Sequence, residues 1–111
     1  MAVILIHNSA DFSLRVLHGR GISIACFGAL WCDSCRTICQ GVERAVADSN
    51  NKTQLVFVDV DAHQELADAY HVIAVPTLLF FKDGHLMNRL IGYASDEEIK
   101  KCMQHMTTGN S

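Results

Sequence analysis

Residues 22–46 read Ile22-Ser23-Ile24-Ala25-Cys26-Phe27-Gly28-Ala29-Leu30-Trp31-Cys32-Asp33-Ser34-Cys35-Arg36-Thr37-Ile38-Cys39-Gln40-Gly41-Val42-Glu43-Arg44-Ala45-Val46, and the hydrophobic period changes inside them. Ile22 to Phe27 is a short apolar run of the kind that forms a buried strand. From Cys35 onward, Cys35, Ile38, Cys39, Val42 and Val46 recur at i, i+3, i+4, i+7 and i+11, as one face of a helix does. That helix is expected to start near Cys32 and fade by Ser49 to Asn51. A strand thus leads into a helix across Trp31-Cys32-Asp33-Ser34-Cys35. Two residues between the cysteines, with the first at a helix N-terminus, bring the sulfurs within bonding reach and place Cys32 beside unpaired N–H groups and the positive dipole end. Cys32 is therefore the expected thiolate nucleophile toward a disulfide. Cys35, one turn deeper, is expected to displace the reduced product.

On either side of this stretch, Ala2 to Ile6 and Leu55 to Val60 are further apolar runs that read as buried strands. Ser9 to His18 reads as a short helix closed by Gly19 and Gly21, and Asp61 is expected to cap another running to about Tyr70. Thr77 to Phe81 and Leu86 to Ile91 are joined only by Lys82-Asp83-Gly84-His85, which predicts an antiparallel hairpin. Ser95 and Glu98 form a capping box ahead of an Ile99, Cys102, Met103, Met106 stripe, a last helix. The pattern predicts an α/β architecture, a mixed sheet of about five strands flanked by four helices on both faces. Residues 1–106 are expected to form one domain and the polar residues 107–111 a flexible tail.

A chain of 111 residues, 50% apolar and 19% charged, is large enough to bury a core without disulfides or a metal, so its five cysteines call for another explanation. An odd number fits a fully paired secreted framework poorly. The net charge of −3, with both signs spread along the chain, offers no basic stripe for nucleic acid or anionic lipid. The opening residues lack the cationic start and long apolar stretch of a signal peptide, and no run approaches a membrane span, so no membrane partner and a cytoplasmic location are expected.

The sequence resembles the thioredoxin family. The resemblance covers nearly the whole chain: the Ile22 to Phe27 strand, Ala29, the WCxxC at 31–35, Asp61, Val75-Pro76-Thr77, Phe81 to Gly84, and Gly92. It implies that Pro76, the sole proline, is cis and faces the cysteine pair, and that Trp31, Val75, Pro76 and Gly92 form an apolar rim on which a partner polypeptide docks. It also implies reduction of disulfide-containing proteins through a Cys32/Cys35 dithiol, with no bound cofactor and with electrons from a thioredoxin reductase or a small dithiol.

Several positions depart from the family pattern. Asp33-Ser34 replaces the usual Gly-Pro between the cysteines. A carboxylate within about 6 Å of the Cys32 sulfur would oppose its thiolate by roughly 1–3 kcal/mol. Asp33 is therefore expected to make the thiolate harder to form and to lower the reduction potential by roughly tens of millivolts. Cys26 stands where the family has a buried aspartate, and Phe57 where it has a lysine. Either water or substrate then deprotonates Cys35, or Cys26 takes part as a third thiol, and slow turnover is expected. The family's kinking proline is replaced by Gln40.

Blander assignments accompany these. Cys26, Cys39 and Cys102 fall on buried strand or helix faces and read as core residues. Cys32, Cys35 and Cys39 make C-x2-C-x3-C, but no fourth cysteine follows at iron–sulfur spacing and the six histidines are scattered, so no metal site is expected. His63 and His71 read as solvated helix residues, and Asp59 as a strand end. A binding module that keeps the fold with weak or no redox activity is the alternative function, motivated by Asp33-Ser34 and the missing aspartate.

Overall fold

The computed structural model describes residues 3–48 and 53–108. Its elements are β1 (Ile4–Leu5), α1 (Ser9–Phe12) continued by a π-helical turn (Ser13–Leu17), β2 (Ile22–Gly28), α2 (Asp33–Ala47), β3 (Thr53–Asp59), α3 (Gln64–Ala69), β4 (Thr77–Lys82), β5 (His85–Ile91) and α4 (Asp96–Thr108). The five strands form one mixed sheet in the order β1-β3-β2-β4-β5. β1, β3 and β2 are parallel, while β4 runs antiparallel to β2 and to β5. The α/β class, the mixed five-stranded sheet and the hairpin expected from sequence are all observed.

β2 is buried along its whole length. Ile22, Ile24 and Cys26 point to one face of the sheet and join Leu78 and Phe80 beneath α2 and α4. Ala25 and Phe27 point to the other and join Val56, Val58, Leu79 and Phe81 beneath Phe12, Val16 and Leu66. Alternate residues thus feed two cores, which is why the run is apolar at nearly every position. On the second face Phe12, Phe27, Tyr70 and Phe81 pack as tilted or edge-on rings 5.6–6.2 Å apart.

α2 and α4 cross closely where Gly41 has no side chain. A Cβ there would meet the Asp96 carboxylate and the Ile99 side chain. Arg44 clasps both oxygens of Asp96, at 2.9 and 3.1 Å. The Ser95/Glu98 capping box forms as expected, with the Glu98 N–H donating to Ser95 Oγ at 3.1 Å and the Ser95 N–H to Glu98 Oε1 at 2.9 Å. At the other end of α4, Lys82 Nζ donates to the Met106 carbonyl at 2.7 Å.

The structure corrects four expectations. β1 has two residues and Leu5 faces solvent, because an edge strand buries one side only. The segment after Ser9 is α-helical for one turn and then widens, with the His18 N–H bonding to the Ser13 carbonyl five residues back. Asp61 does not cap α3: His63 holds that position, without a side-chain cap bond. α4 runs through Thr108, so Thr107 and Thr108 belong to a helix, and residues 109–111 lie outside the described ones. Among the described residues no helix is long and apolar enough to cross a membrane.

Asp83 and Gly84 close the β4–β5 hairpin with φ of 50° and 85°, the two left-handed positions of a tight turn matched to strand twist. Asp83 ties this tip to the start of β2, its carboxylate accepting the Gly21 N–H at 2.7 Å and its own N–H donating to the Gly21 carbonyl at 2.9 Å. The Leu17 carbonyl lies against Gly84, where a Cβ would collide with it. Gly84→Ala therefore combines a left-handed φ with a backbone collision and is expected to destabilise the protein by more than about 1 kcal/mol, read as a lower urea midpoint at unchanged m-value.

Candidate functional site

β2 delivers the chain to the C-terminal edge of the sheet, and α2 begins there after the turn Ala29 to Cys32. The Cys32 N–H closes this turn on the Ala29 carbonyl at 3.1 Å. Cys32 then takes the N-cap position in an extended conformation, φ −95° and ψ 107°, and its Sγ accepts the Cys35 N–H at 3.2 Å. A side-chain oxygen ordinarily fills this role, satisfying one of the free amides of the first turn. Here a sulfur does so, and a negative sulfur is the stronger acceptor.

The two sulfurs experience opposite environments. Hydrogen bonds from the Cys35 thiol and the Ser34 hydroxyl, the latter at 3.2 Å, hold the Cys32 thiol below its ordinary range, helped by the backbone N–H groups of Cys35 and Ser34 and opposed by burial. Cys35 is only 2% exposed. Burial, followed by its hydrogen bond to Cys32, pushes its thiol up to about 12. Cys32 itself is 7% exposed, and the neighbouring Trp31 is 70% exposed. Gly28 makes this packing possible, since a Cβ there would stand 2.9 Å from both Cys35 Sγ and the Phe57 ring.

Asp33 lies on the surface of the first turn of α2. Its carboxylate is 93% exposed and pairs with Arg36 at 2.7 Å, so its charge is met by a guanidinium and by water. The Cys32 thiol is held below its ordinary range with this carboxylate so placed. Ser34, expected with Asp33 and Cys26 to modulate the pair, lies with its hydroxyl on the Cys32 sulfur.

The remaining rim comes from three segments. Ala29, Cys32 and Cys35 form a small apolar cluster against which Val75 packs. The Val75–Pro76 peptide bond is cis, as the resemblance implied, and Pro76 is buried. Gly92, at φ +79°, donates its N–H to the Pro76 carbonyl at 2.8 Å, and the space where its Cβ would stand is open. Thr77 Oγ1 fixes the same segment by donating to the Ala74 carbonyl at 2.7 Å. Trp31 is held by its indole N–H, which donates to Asp61 Oδ2 at 2.8 Å, and Asp61 is anchored through its N–H to Asp59 Oδ1 at 3.0 Å. Asp61 thus orients the indole. Leu30, Ile73 and Tyr93 are also exposed and apolar.

Of the other cysteines, Cys26 and Cys102 are buried as expected, with Asn88 Nδ2 on the Cys102 sulfur at 3.2 Å. Cys39 is only partly buried. It lines a mostly apolar groove of about 210 Å³ with Cys32, Cys35, Arg36 and Phe57, and packs against the cluster that holds Cys26, whose thiol holds that of Cys39 below its ordinary range. Among the described residues no three His, Cys, Asp or Glu side chains converge as a metal-holding set.

The rate of Cys32 alkylation by iodoacetamide is expected to rise with pH to a midpoint below that of a free cysteine, with Cys35 unmodified at neutral pH. Ser34→Ala is expected to move the midpoint upward and Asp33→Asn to leave it in place. A midpoint that falls in Asp33→Asn and is indifferent to Ser34 would return Asp33 to the repulsive role expected from sequence.

The Thioredoxin family model matches residues 3–105. A curated thioredoxin of Staphylococcus aureus is 31% identical over 103 residues, covering 93% of this chain and 96% of its own length. Among solved structures, a single-site mutant of a thioredoxin from Halobacterium salinarum NRC-1 superposes with a TM-score of 0.83 at 26% identity, over 96% of each chain. Malassezia sympodialis thioredoxin (Mala s 13), described as a member of a pan-allergen family, superposes with a TM-score of 0.80 at 26% identity, over 96% of this chain and 92% of that one. Fold, matched length and identity agree, and the chain belongs to the thioredoxin family of thiol-disulfide oxidoreductases.

Proposed function

We propose that this protein reduces disulfides in other proteins through a Cys32/Cys35 dithiol cycle. The reading rests on the divided chemistry of the two sulfurs: one favoured as thiolate at a helix N-terminus, the other held as a buried thiol beneath it. The Cys32 thiolate attacks one sulfur of a substrate disulfide, forming a mixed disulfide and expelling the other substrate sulfur as thiolate. The Cys35 thiol then loses its proton and attacks Cys32 Sγ. The Cys32–substrate bond breaks, the second substrate sulfur leaves with a proton, and the Cys32–Cys35 disulfide remains. A thioredoxin reductase or a small dithiol returns two electrons to that disulfide. No bound cofactor enters these steps, and a reducing, cytoplasmic setting would sustain the cycle.

Trp31, Val75, Pro76 and Gly92 form the docking rim in this reading, with the open space at Gly92 admitting an extended substrate segment close to its backbone. The resolving step is expected to be slow. Phe57 and Gly28 flank Cys35, and the Cys26 thiol is pushed well above its ordinary range by its hydrogen bond to Cys39 and by burial, so it supplies no base. Water or the departing substrate thiolate takes the Cys35 proton.

Insulin disulfide reduction, driven by dithiothreitol or a thioredoxin reductase, is expected for the wild-type protein and to fall to background for Cys32→Ser and for Cys35→Ser. Cys35→Ser is expected to accumulate mixed disulfides through Cys32. If the wild-type protein reduces nothing, and partner binding is indifferent to Cys32→Ser, the fold serves as a binding module instead.

A further inference from the structure

The strand and helix that build the site keep a common step as they run away from it. Two residues of a strand advance about 6.6 Å and four residues of a helix about 6 Å. Cys35 packs on Gly28 at the first step. At the next, Cys39 is four residues along α2 and Cys26 two residues back along β2, and Cys39 packs against the apolar cluster that holds Cys26. A second pair of cysteines therefore lies one turn behind the first, on the same helix face.

Access to this second pair is one-sided. Cys39 lines the groove that also reaches Cys32, Cys35 and Phe57. Cys26 is fully buried beneath it, among Ile24, Ile38, Val42 and Leu78. We propose that Cys39 and Cys26 form a second redox dithiol, oxidised by a hydroperoxide that enters the groove, with Cys39 reacting first and Cys26 closing an intramolecular disulfide behind it. The hydrogen bond from Cys26 favours the Cys39 thiolate, against burial and the charge of Glu43, while Cys26 is kept protonated. A partly exposed thiol with a second thiol packed behind it is the arrangement that peroxide-responsive cysteines require.

In the first step the Cys39 sulfur attacks the O–O bond; an S–O bond forms, the O–O bond breaks, and the alkoxide leaves as the alcohol after taking a proton. Cys26 then attacks the Cys39 sulfur of this sulfenic acid. The S–S bond forms, the S–O bond breaks, and water carries away the oxygen with the Cys26 proton. Two thiols lose two electrons, and the hydroperoxide is reduced to an alcohol and water. The product clamps α2 to β2 beneath the Cys32/Cys35 pair.

The sequence lends itself to a direct test. Trypsin cleaves after Arg20, Arg36 and Arg44, so Cys26 lies in peptide 21–36 and Cys39 in peptide 37–44. In the Cys32→Ser/Cys35→Ser variant, Cys26 is the sole thiol of its peptide. That variant, its fold checked by circular dichroism, is treated with tert-butyl hydroperoxide, denatured, alkylated, digested and analysed by mass spectrometry. The expected result is peptides 21–36 and 37–44 joined and two hydrogens lighter, and separated again by dithiothreitol. The same treatment of wild-type protein with its Cys32–Cys35 disulfide already formed is expected to remove two further thiols. In Cys26→Ala, Cys39 is expected to proceed to sulfinic acid. Alkylatable Cys39 after peroxide, sulfinic acid without the cross-link, or Cys39 paired with Cys102 would each overturn the proposal. Because the first pair is absent from the double variant, none of these outcomes bears on the Cys32/Cys35 cycle.

Discussion

The structure depends on one strand having no solvent-facing side. β2 is paired on both edges and covered on both faces, so its side chains must serve two cores, and the helices above and below are obliged to meet it in register. A strand so constrained has a fixed end, and the turn that leaves it at Gly28 is fixed with it. The position of Cys32 is set from beneath: by the strand that carries the chain there, by Val75 at its side, and by the helix it begins. The groups that could react stand at the carboxyl end of a parallel pair of strands, where open α/β sheets generally place them.

Within that frame the sulfur of Cys32 has two structural duties. It completes the first turn of α2 as hydrogen-bond acceptor, and it is the group most easily left negative. The interactions that shape the helix end therefore also favour the anion, and they act only over the first turn. Cys35 lies one turn further along, already in the apolar interior, where the same helix gives its sulfur no comparable help. The asymmetry between two identical residue types follows from about one turn of helix.

Much of this was legible in the sequence, and the rest was hidden for physical reasons that differ from residue to residue. The Ile22 to Phe27 run, the helical stripe from Cys35 to Val46, the Asp83-Gly84 turn and the Ser95/Glu98 box are local patterns, and each forms where its pattern indicates. Two of the readings turn on which group a polar side chain finds. Asp61 looked like a helix cap and instead holds the Trp31 indole across thirty residues of chain. Asp33 looked like a charge beside a thiolate, but a neighbouring Arg36 and open water claim it. Cys39 looked like one more core residue, since periodicity assigns it to a face without saying where on that face the interior ends. The widened turn at Ser13–Leu17 leaves no trace in composition or period.

The outer edge of the sheet has a further consequence. β5 offers solvent a strand with Leu86, Met87 and Ile91 exposed, and an edge of that kind is a template on which another chain can add itself. The pairing of β4 with β5 shifts between Phe80 and Phe81, a bulge that increases local twist and takes the outermost backbone groups out of a straight ladder. At the opposite border β1 pairs over two residues only. Neither border presents a long flat row of free donors and acceptors, so the same features that end the sheet at five strands also guard a crowded solution of these molecules against fibrous growth.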